Sequence, residues 1–435
     1  MSKTFASYAF GCRVNQAEKE ELDRELLSFG FQYSIADPSI YIINSCAVTA
    51  KAEREARQFI NQIKRKHPKA KIIITGCAAT KWIREKITIG NADWVIDNTS
   101  KNYIIRVLTK KEENNSFHID AKFCDRNKWR HYIGSYNKYL SSRRLLLKIQ
   151  DGCQKFCTYC IVPYLRKKAK SKSIKYLVSG IKELEDKISE VILTAVNTQA
   201  YGLDTKESFV DLIKNIMERT KVPRISFGSI DPGSIDRKFL AFYKKYADSQ
   251  RLIDFFHIPL QSASNKILKL MERGYTLEEY SEKINTLVKI NPFAFIGTDI
   301  IAGFLDETDS DYEDTYNYLA QSPIAKFHIF RFSLRQPTAA FYLARRLQEP
   351  SPLVKAKRAR WLANLGRQKY RKFLVKHIGL TFPALFLDKR KNDYQEALLD
   401  NQIPVFIKSS KNLSGDIKQV KIEALKEDKL VGRII

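Results

Sequence analysis

Asp151-Gly-Cys-Gln-Lys-Phe-Cys-Thr-Tyr-Cys-Ile161 carries three cysteines, Cys153, Cys157 and Cys160, in a C-x3-C-x2-C run. It follows the apolar stretch Leu145-Leu-Leu-Lys-Ile149, which reads as a strand. Three thiolates on one short loop can hold three corners of an iron–sulfur cube. Cubane clusters usually take four cysteines, so a local set of three leaves one iron open to a ligand that is not protein. The competing reading is a zinc knuckle that borrows its fourth ligand from elsewhere.

Downstream of this loop, strand-like and helix-like runs alternate. The strands are expected at Leu145–Ile149, Val191–Ala195, Arg224–Ile230, Phe255–Leu260, Phe295–Gly303 and Ala325–Phe332, with helical stretches such as Ile174–Asp186 and Leu277–Ile290 between them. Such alternation implies an α/β fold, here a partial (β/α)6 barrel over residues 143–375. Function in such folds sits at the carboxyl ends of the strands, and the cysteine loop follows the first of them.

Upstream, residues 111–142 are polar and mixed and read as a linker. Residues 1–110 hold Cys12, Cys46 and Cys77, too far apart to form a local motif. Each follows a strand-like run (Phe5–Phe10, Ile40–Ile43, Lys71–Thr75) and precedes a helical one. Asn15 with Glu18 reads as a capping box and Gly30 as the stop of the first helix. Three such units in a row imply a parallel sheet with right-handed crossovers, and all three cysteines fall at its ligand-binding edge. A second three-thiolate site is the reading preferred over three unrelated buried cysteines. Cys124 fits no pattern and is a spare thiol.

Residues 376–435 contain the short strand-like runs Phe382–Leu387, Ala397–Leu399, Pro404–Ile407 and Val420–Leu425 with turn signals between them. They read as a small β-barrel suited to gripping RNA, with an inert structural cap as the alternative. Composition points the same way. The chain has 75 Lys+Arg against 48 Asp+Glu, a net charge of +27, interleaved with 21 Tyr and 25 Phe, a surface suited to a polyanion. Seven cysteines in 435 residues do not form the dense even set of a small secreted scaffold. No long apolar N-terminal region or membrane-length apolar run is present, so a cytoplasmic protein with free thiols and no membrane partner is expected.

These pieces together resemble the radical S-adenosylmethionine (SAM) methylthiotransferases over nearly the whole chain. The loop with Tyr159 before its last cysteine resembles the radical SAM cluster loop. Gly11-Cys-Arg-Val-Asn-Gln-Ala-Glu18, Asn44-Ser-Cys-Ala-Val-Thr49 and Thr75-Gly-Cys77 are similar to the family's three N-terminal ligand segments. Pro259-Leu-Gln-Ser-Ala-Ser264 and Met271-Glu-Arg-Gly-Tyr-Thr276 resemble its P-L-Q-S-G-S…M-x-R-x-Y-T block. The form of the N-terminal segments is most similar to the branch acting on threonylcarbamoyladenosine in tRNA. The runners-up are the isopentenyladenosine branch, the branch modifying a ribosomal protein, and a zinc-containing RNA-binding protein without catalysis.

The resemblance implies an N-terminal cluster domain, the partial barrel and a C-terminal TRAM-like domain. It implies two [4Fe-4S] clusters and SAM as cofactors. Cys153, Cys157 and Cys160 would hold the cluster that cleaves SAM to a 5′-deoxyadenosyl radical. Cys12, Cys46 and Cys77 would hold the cluster carrying the sulfur, and a second SAM would supply the methyl group. Tyr159, Asn197, Asp231, Gln261 and Gly303 are the implied cofactor-binding residues. Arg166, Lys167, Lys168, Lys170 and Lys172 are the implied RNA contacts. The implied partners are a tRNA anticodon stem-loop, an electron donor such as flavodoxin or ferredoxin, and a sulfur donor. Departures are Gly303-Phe-Leu-Asp-Glu-Thr308 for G-F-P-G-E-T, Ala195 and Ala263 for glycine, and Lys for Arg after Arg166. With Leu305-Asp306 replacing a Pro-Gly turn, that loop is expected to close differently.

Overall fold

The computed structural model describes residues 3–109 and 141–435. Most of the expected linker 111–142, and Cys124, lie outside them. The chain divides into two compact units. One comprises Met1–Tyr139, Asp151–Gln154 and Ile161–Lys168, and the other Leu140–Gln150, Lys155–Cys160 and Ala169–Ile435.

In the first unit β1 (Thr4–Ala9), β2 (Gln32–Tyr33), β3 (Ile40–Ser45), β4 (Lys71–Gly76) and β5 (Trp94–Val95) form a parallel sheet in the order β2-β1-β3-β4-β5. Helices α1 (Arg13–Ser28) and α4 (Tyr103–Thr109) cover one face, packing Leu22, Leu26 and Ile104 on Phe5, Ile42 and Ile73. Helices α2 (Ala50–Lys66) and α3 (Cys77–Arg84) cover the other, packing Ala56, Ile60 and Trp82 on Ile43, Ile72 and Ile74. A strand buried on both faces needs no polar alternation, which is why Ile40–Ile43 and Ile72–Ile74 are nearly continuous apolar runs. In this strand order the direction of winding reverses between β1 and β3, opening a crevice at their carboxyl ends.

The expected capping box is corrected. Helix α1 starts at Arg13 with Cys12 as its N-cap, and Asn15 lies inside the first turn. Its amide is instead spent across the sheet edge, as described below. Gly30 does follow the helix end, with φ +83°.

In the second unit β6 (Arg144–Asp151), β7 (Lys170–Ser171), β8 (Glu190–Ala195) and β9 (Arg224–Phe227) form one sheet in the order β7-β6-β8-β9. Strands β10 (Phe255–His257), β11 (Phe295–Ala302) and β12 (Lys326–Arg331) form a parallel second. Single parallel bridges, Ile225 to Leu252 and Ser229 to His257, join the two. The six principal strands thus follow one another in chain order, as an open (β/α)6 barrel requires. The short helix α5 (Val162–Leu165) belongs to the first unit. Helices α6 (Ile174–Lys182), α7 (Phe209–Arg219), α8 (Arg237–Tyr246), α9 (Asn265–Leu270), α10 (Leu277–Ile290) and α11 (Asp309–Gln321) fill the crossovers. A Thr276–Glu279 capping box starts α10 at the expected residue. Strand β10 stops before the expected Leu260 because Pro259 has no N–H to extend a ladder.

After α12 (Ala339–Leu343) and the long α13 (Pro352–Val375), five strands close on themselves. They are β13 (Thr381–Lys391), β14 (Tyr394–Leu399), β15 (Pro404–Lys408), β16 (Ile417–Lys426) and β17 (Lys429–Ile434), with β13 pairing β16 to complete the ring. Strand β17 was not expected. Its hairpin turns at Glu427 and Asp428, φ +47° and +57°, a geometry that usually announces itself with Asn-Gly.

This small barrel docks on the amino-terminal ends of the (β/α)6 strands. Arg224, at the start of β9, donates to Leu398 O (2.9 Å) and Leu399 O (2.6 Å). Glu190, at the start of β8 and fully buried, accepts from Arg144 (2.5 Å), Ser226 (2.5 Å) and Gln402 (2.6 Å). Phe295, Phe373, Phe382 and Phe386 share one core across the junction.

Candidate functional site

The N-terminal cysteines are gathered by the strand order. Cys12 follows β1 by two residues, Cys46 follows β3 directly and Cys77 follows β4 directly, so all three lie at the carboxyl edge beside the winding reversal. Burial, then the neighbouring Cys12 and Cys77 thiols, push the Cys46 thiol up to about 12. Burial, and then the Cys77 thiol, also raise the Cys12 thiol. Thiols crowded together in this way favour a cation, because a metal removes the repulsion.

Their loops are tied by side chains that the sequence placed at fixed offsets. Asn15 Nδ2 donates to Phe10 O (2.9 Å) and Ser45 O (3.0 Å), and Asn44 Nδ2 donates to Asn15 O (2.7 Å). Ser45 Oγ donates to Thr75 O (2.6 Å) and accepts from Ala79 N (3.1 Å). Thr49 caps α2 by accepting from Ala52 N. Val48 N–H points at Cys46 Sγ at 3.5 Å. Gly11, with φ +82°, leaves room for that thiol: a Cβ on it would lie 2.3 Å from Cys46 Sγ.

Arg166 is a correction. Expected at an RNA surface, it is 2% exposed and belongs to the interior of the first unit. Its Nε donates to Cys77 Sγ at 3.3 Å, and its guanidinium donates to Glu18 (2.8 and 3.1 Å), Asp151 (2.6 Å) and Asn15 Oδ1 (2.9 Å). Lys101 also pairs with Glu18. A guanidinium in contact with two carboxylates and a thiol is fully engaged and has no donor left for phosphate. Lys167, Lys168 and Lys170 are exposed, while Lys172 is half-buried with its ammonium over the Tyr176 ring.

In the second unit the loop segment Lys155–Cys160 is pinned at several points. Lys155 pairs with Asp231 (3.1 Å) and Gln199 (3.2 Å). Thr158 N donates to Met271 O and its Oγ1 to Leu270 O, while Ala340 N donates to Thr158 O. Cys160 N donates to Cys157 O at 2.8 Å, a tight turn between the two thiols. Arg273, 6% exposed, donates from Nη1 to Cys157 Sγ (3.2 Å) and Tyr159 OH (3.2 Å), and from Nε to Tyr275 OH (2.9 Å). Phe156 has φ +48° and is half exposed, a strained conformation of the kind that clusters at working loops.

The other expected cofactor residues end up as follows. Tyr159 packs edge-on against Phe304 with 6.4 Å between ring centres. Asn197 caps the turn Thr198–Ala200, and Asp231 caps Pro232–Ser234 while holding Lys155. Gln261 is buried with φ +79°. Gly303 has φ +77° and donates its N–H to Glu307, which is held in turn by Arg358 at 2.6 Å. In the loop after it, a non-glycine residue takes the left-handed conformation that glycine favours. Asp306 takes φ +53°, and its carboxylate and amide bond Gln348 N (2.7 Å) and O (2.8 Å). Asp tolerates this conformation better than most residues.

One polar group was not foreseen. His257, Asp299 and His328, on adjacent strands β10, β11 and β12, bring one ligand atom each within 4.8 Å of one another. Asp299 Oδ1 faces His257 Nε2 at 2.9 Å and His328 Nδ1 at 3.4 Å. Burial raises the Asp299 carboxyl, but the bonds from both imidazoles outweigh it and hold it at about 2. Each residue stands alone in its strand, so no sequence spacing joins them. Arg273, Glu18 and Glu307 fall in the segments singled out in the sequence, but their contacts could not be assigned there, because only the fold shows what they touch.

Residues 147–319 match the family described as the Radical SAM superfamily, and residues 4–97 match the uncharacterized protein family UPF0004. The threonylcarbamoyladenosine tRNA methylthiotransferase MtaB of Aquifex aeolicus is 34% identical over 88% of this chain and 92% of its own. The protein of that description from Bacillus subtilis is 28% identical over 96% and 93%. The tRNA-2-methylthio-N(6)-dimethylallyladenosine synthase of Orientia tsutsugamushi strain Ikeda is 29% identical over 100% and 99%.

Proposed function

Since the chain belongs to the methylthiotransferases of the radical SAM superfamily, we propose that it converts N6-threonylcarbamoyladenosine beside the tRNA anticodon (position 37) to its 2-methylthio derivative, using two [4Fe-4S] clusters and SAM. The observation that carries the two-cluster part is the gathering of Cys12, Cys46 and Cys77 at one sheet edge, with Gly11 leaving the space a Cβ would take from Cys46. An all-thiolate set suits iron–sulfur or zinc, and neither set has a fourth cysteine among the described residues. A set of three fits a cube with an open iron. The threonylcarbamoyl branch is supported by the relatives of that description from Aquifex and Bacillus.

When bound, the loop cluster supplies reductive cleavage of SAM and the N-terminal cluster supplies bound sulfur. The chain's own residues supply placement. Cys153, Cys157 and Cys160 would hold the first cluster, and Cys12, Cys46 and Cys77 the second. Lys155 and Asp231 fix the loop against β8 and β9, and Arg273 fixes Cys157 and Tyr159. Glu307 turns the Gly303 N–H inward and away from solvent. A base in an anticodon loop can be splayed out of its stack to be reached by an enzyme. Exposed Lys167, Lys168 and Lys170, and the lysines of the C-terminal barrel, suit the phosphates of the anticodon stem-loop. The reaction needs an electron donor such as flavodoxin or ferredoxin and a sulfur donor, and the cytoplasm provides these with tRNA. Among the described residues no helix is long and apolar enough to cross a membrane.

The test is nucleoside mass spectrometry of tRNA incubated with reconstituted enzyme, SAM and a reductant. Threonylcarbamoyladenosine tRNA should gain the methylthio group and isopentenyladenosine tRNA should not. The reverse preference would move the chain to the isopentenyl branch.

A further inference from the structure

We infer that Arg273 is a positioning residue that raises the reduction potential of the loop cluster, and that Arg166, its counterpart in the N-terminal unit, does not do so for the other cluster. The inference rests on the two-cluster reading. Each three-cysteine set has one buried arginine donating to one of its sulfurs: Arg273 to Cys157 at 3.2 Å and Arg166 to Cys77 at 3.3 Å. Hydrogen bonds and charge at the sulfurs are among the levers that set a cluster's potential.

What differs is the counter-charge. Arg166 lies against Glu18 and Asp151, and Lys101 also pairs with Glu18. Among the described residues two carboxylates lie against this guanidinium, so Arg166 orients Cys77 with its charge offset by anions other than the cluster thiolate. Arg273 has only neutral oxygen partners: Tyr159 OH, Tyr275 OH and Pro259 O (3.4 Å). Among the described residues no carboxylate pairs with it. Burying a guanidinium without an anion is costly, and among the described residues the one contact able to serve as its anion once the cluster is bound is the Cys157 sulfur. The cation and the cluster thiolate are therefore each other's counterions. Reduction adds an electron to the cube, and a fixed positive charge bonded to its ligand favours that state. The two clusters are thereby poised differently by two buried arginines.

The experiment is an anaerobic potentiometric titration of the reconstituted full chain, followed by electron paramagnetic resonance. The signal that changes on adding SAM reports the loop cluster. In Arg273→Met its midpoint should fall by at least a tenfold change in the reduction equilibrium, about 59 mV for one electron. Arg273→Lys, which keeps the charge and loses the fork, should lie between. Arg166→Met should leave both this midpoint and that of the SAM-insensitive signal, the N-terminal cluster, in place. A wild-type midpoint in Arg273→Met with iron retained would overturn the inference. So would an equal fall of the SAM-insensitive midpoint in Arg166→Met, or loss of iron from both Arg273 variants in folded protein, which would make the residue purely structural. If wild type shows no SAM-sensitive signal at all, it is the functional reading that fails.

Discussion

Replacing Gly11 by alanine probes the N-terminal site without removing a cysteine. The added Cβ would lie 2.3 Å from Cys46 Sγ and 2.5 Å from Cys46 Cβ. Carbon and sulfur rest at roughly 3.5 Å or more, so residue 11 or the thiol has to move by about 1 Å. The backbone adds its own cost. Gly11 has φ +82°, and an L-residue there costs roughly 1–2 kcal/mol. Gly30 separates the two effects, because it has φ +83° and nothing within 4 Å of its added Cβ. Gly30→Ala therefore bears the backbone cost alone. Both variants should melt somewhat lower than wild type after anaerobic reconstitution. Gly30→Ala should keep the wild-type iron content and visible absorption. Gly11→Ala should keep about half the iron, since each cube carries four irons. A Gly11→Ala protein with full iron and an unaltered spectrum would refute the idea that Gly11 makes room for a cluster ligand.

Two other outcomes follow from the same geometry. Changing the exposed Lys167, Lys168 and Lys170 together to glutamine should weaken tRNA binding and flatten its salt dependence by roughly 0.7–0.9 of a logarithmic unit per lost phosphate contact, and an unchanged slope would remove this segment from the RNA surface. Burial raises the Asp254 carboxyl to about 7 against the donors Tyr243 and Asn291. The folded state then holds the proton more tightly than the unfolded one, so this group's stabilisation is present below about pH 4 and is lost as pH rises to about 7. The melting temperature should fall between pH 5.5 and 7.5, and less steeply in Asp254→Asn; identical profiles for the two proteins would sink the assignment.

Much of the architecture was readable because its periodicities are local. The three strand–cysteine–helix units, the six alternating strands and the turn-rich tail each carry their own pattern of apolar and polar residues. What was misread depended on long-range contacts. Arg166 sits in a run of lysines and looks like surface charge, yet Glu18, 148 positions away, draws it inside. Asn15 and Glu18 have capping-box spacing, but Asn15 is used to tie Phe10 to Ser45 and Glu18 to hold Arg166. Asp306, where the family has glycine, takes φ +53° with Gln348 bonding both its side chain and its backbone. The tail, read as a small β-barrel suited to RNA, shares its core with β11 and α13. Deleting it would expose that core, so its role in binding RNA is better tested by changing exposed residues such as Lys418 and Lys421.

The central claim is that the two cysteine sets do different work. A single turnover of Cys46→Ala protein with dithionite, SAM and threonylcarbamoyladenosine tRNA tests it most directly, following 5′-deoxyadenosine and the methylthio nucleoside separately. 5′-Deoxyadenosine should still form while no methylthio product appears, and Cys157→Ala should make neither. Full methylthiolation by Cys46→Ala would make the N-terminal cysteines structural and contradict the account.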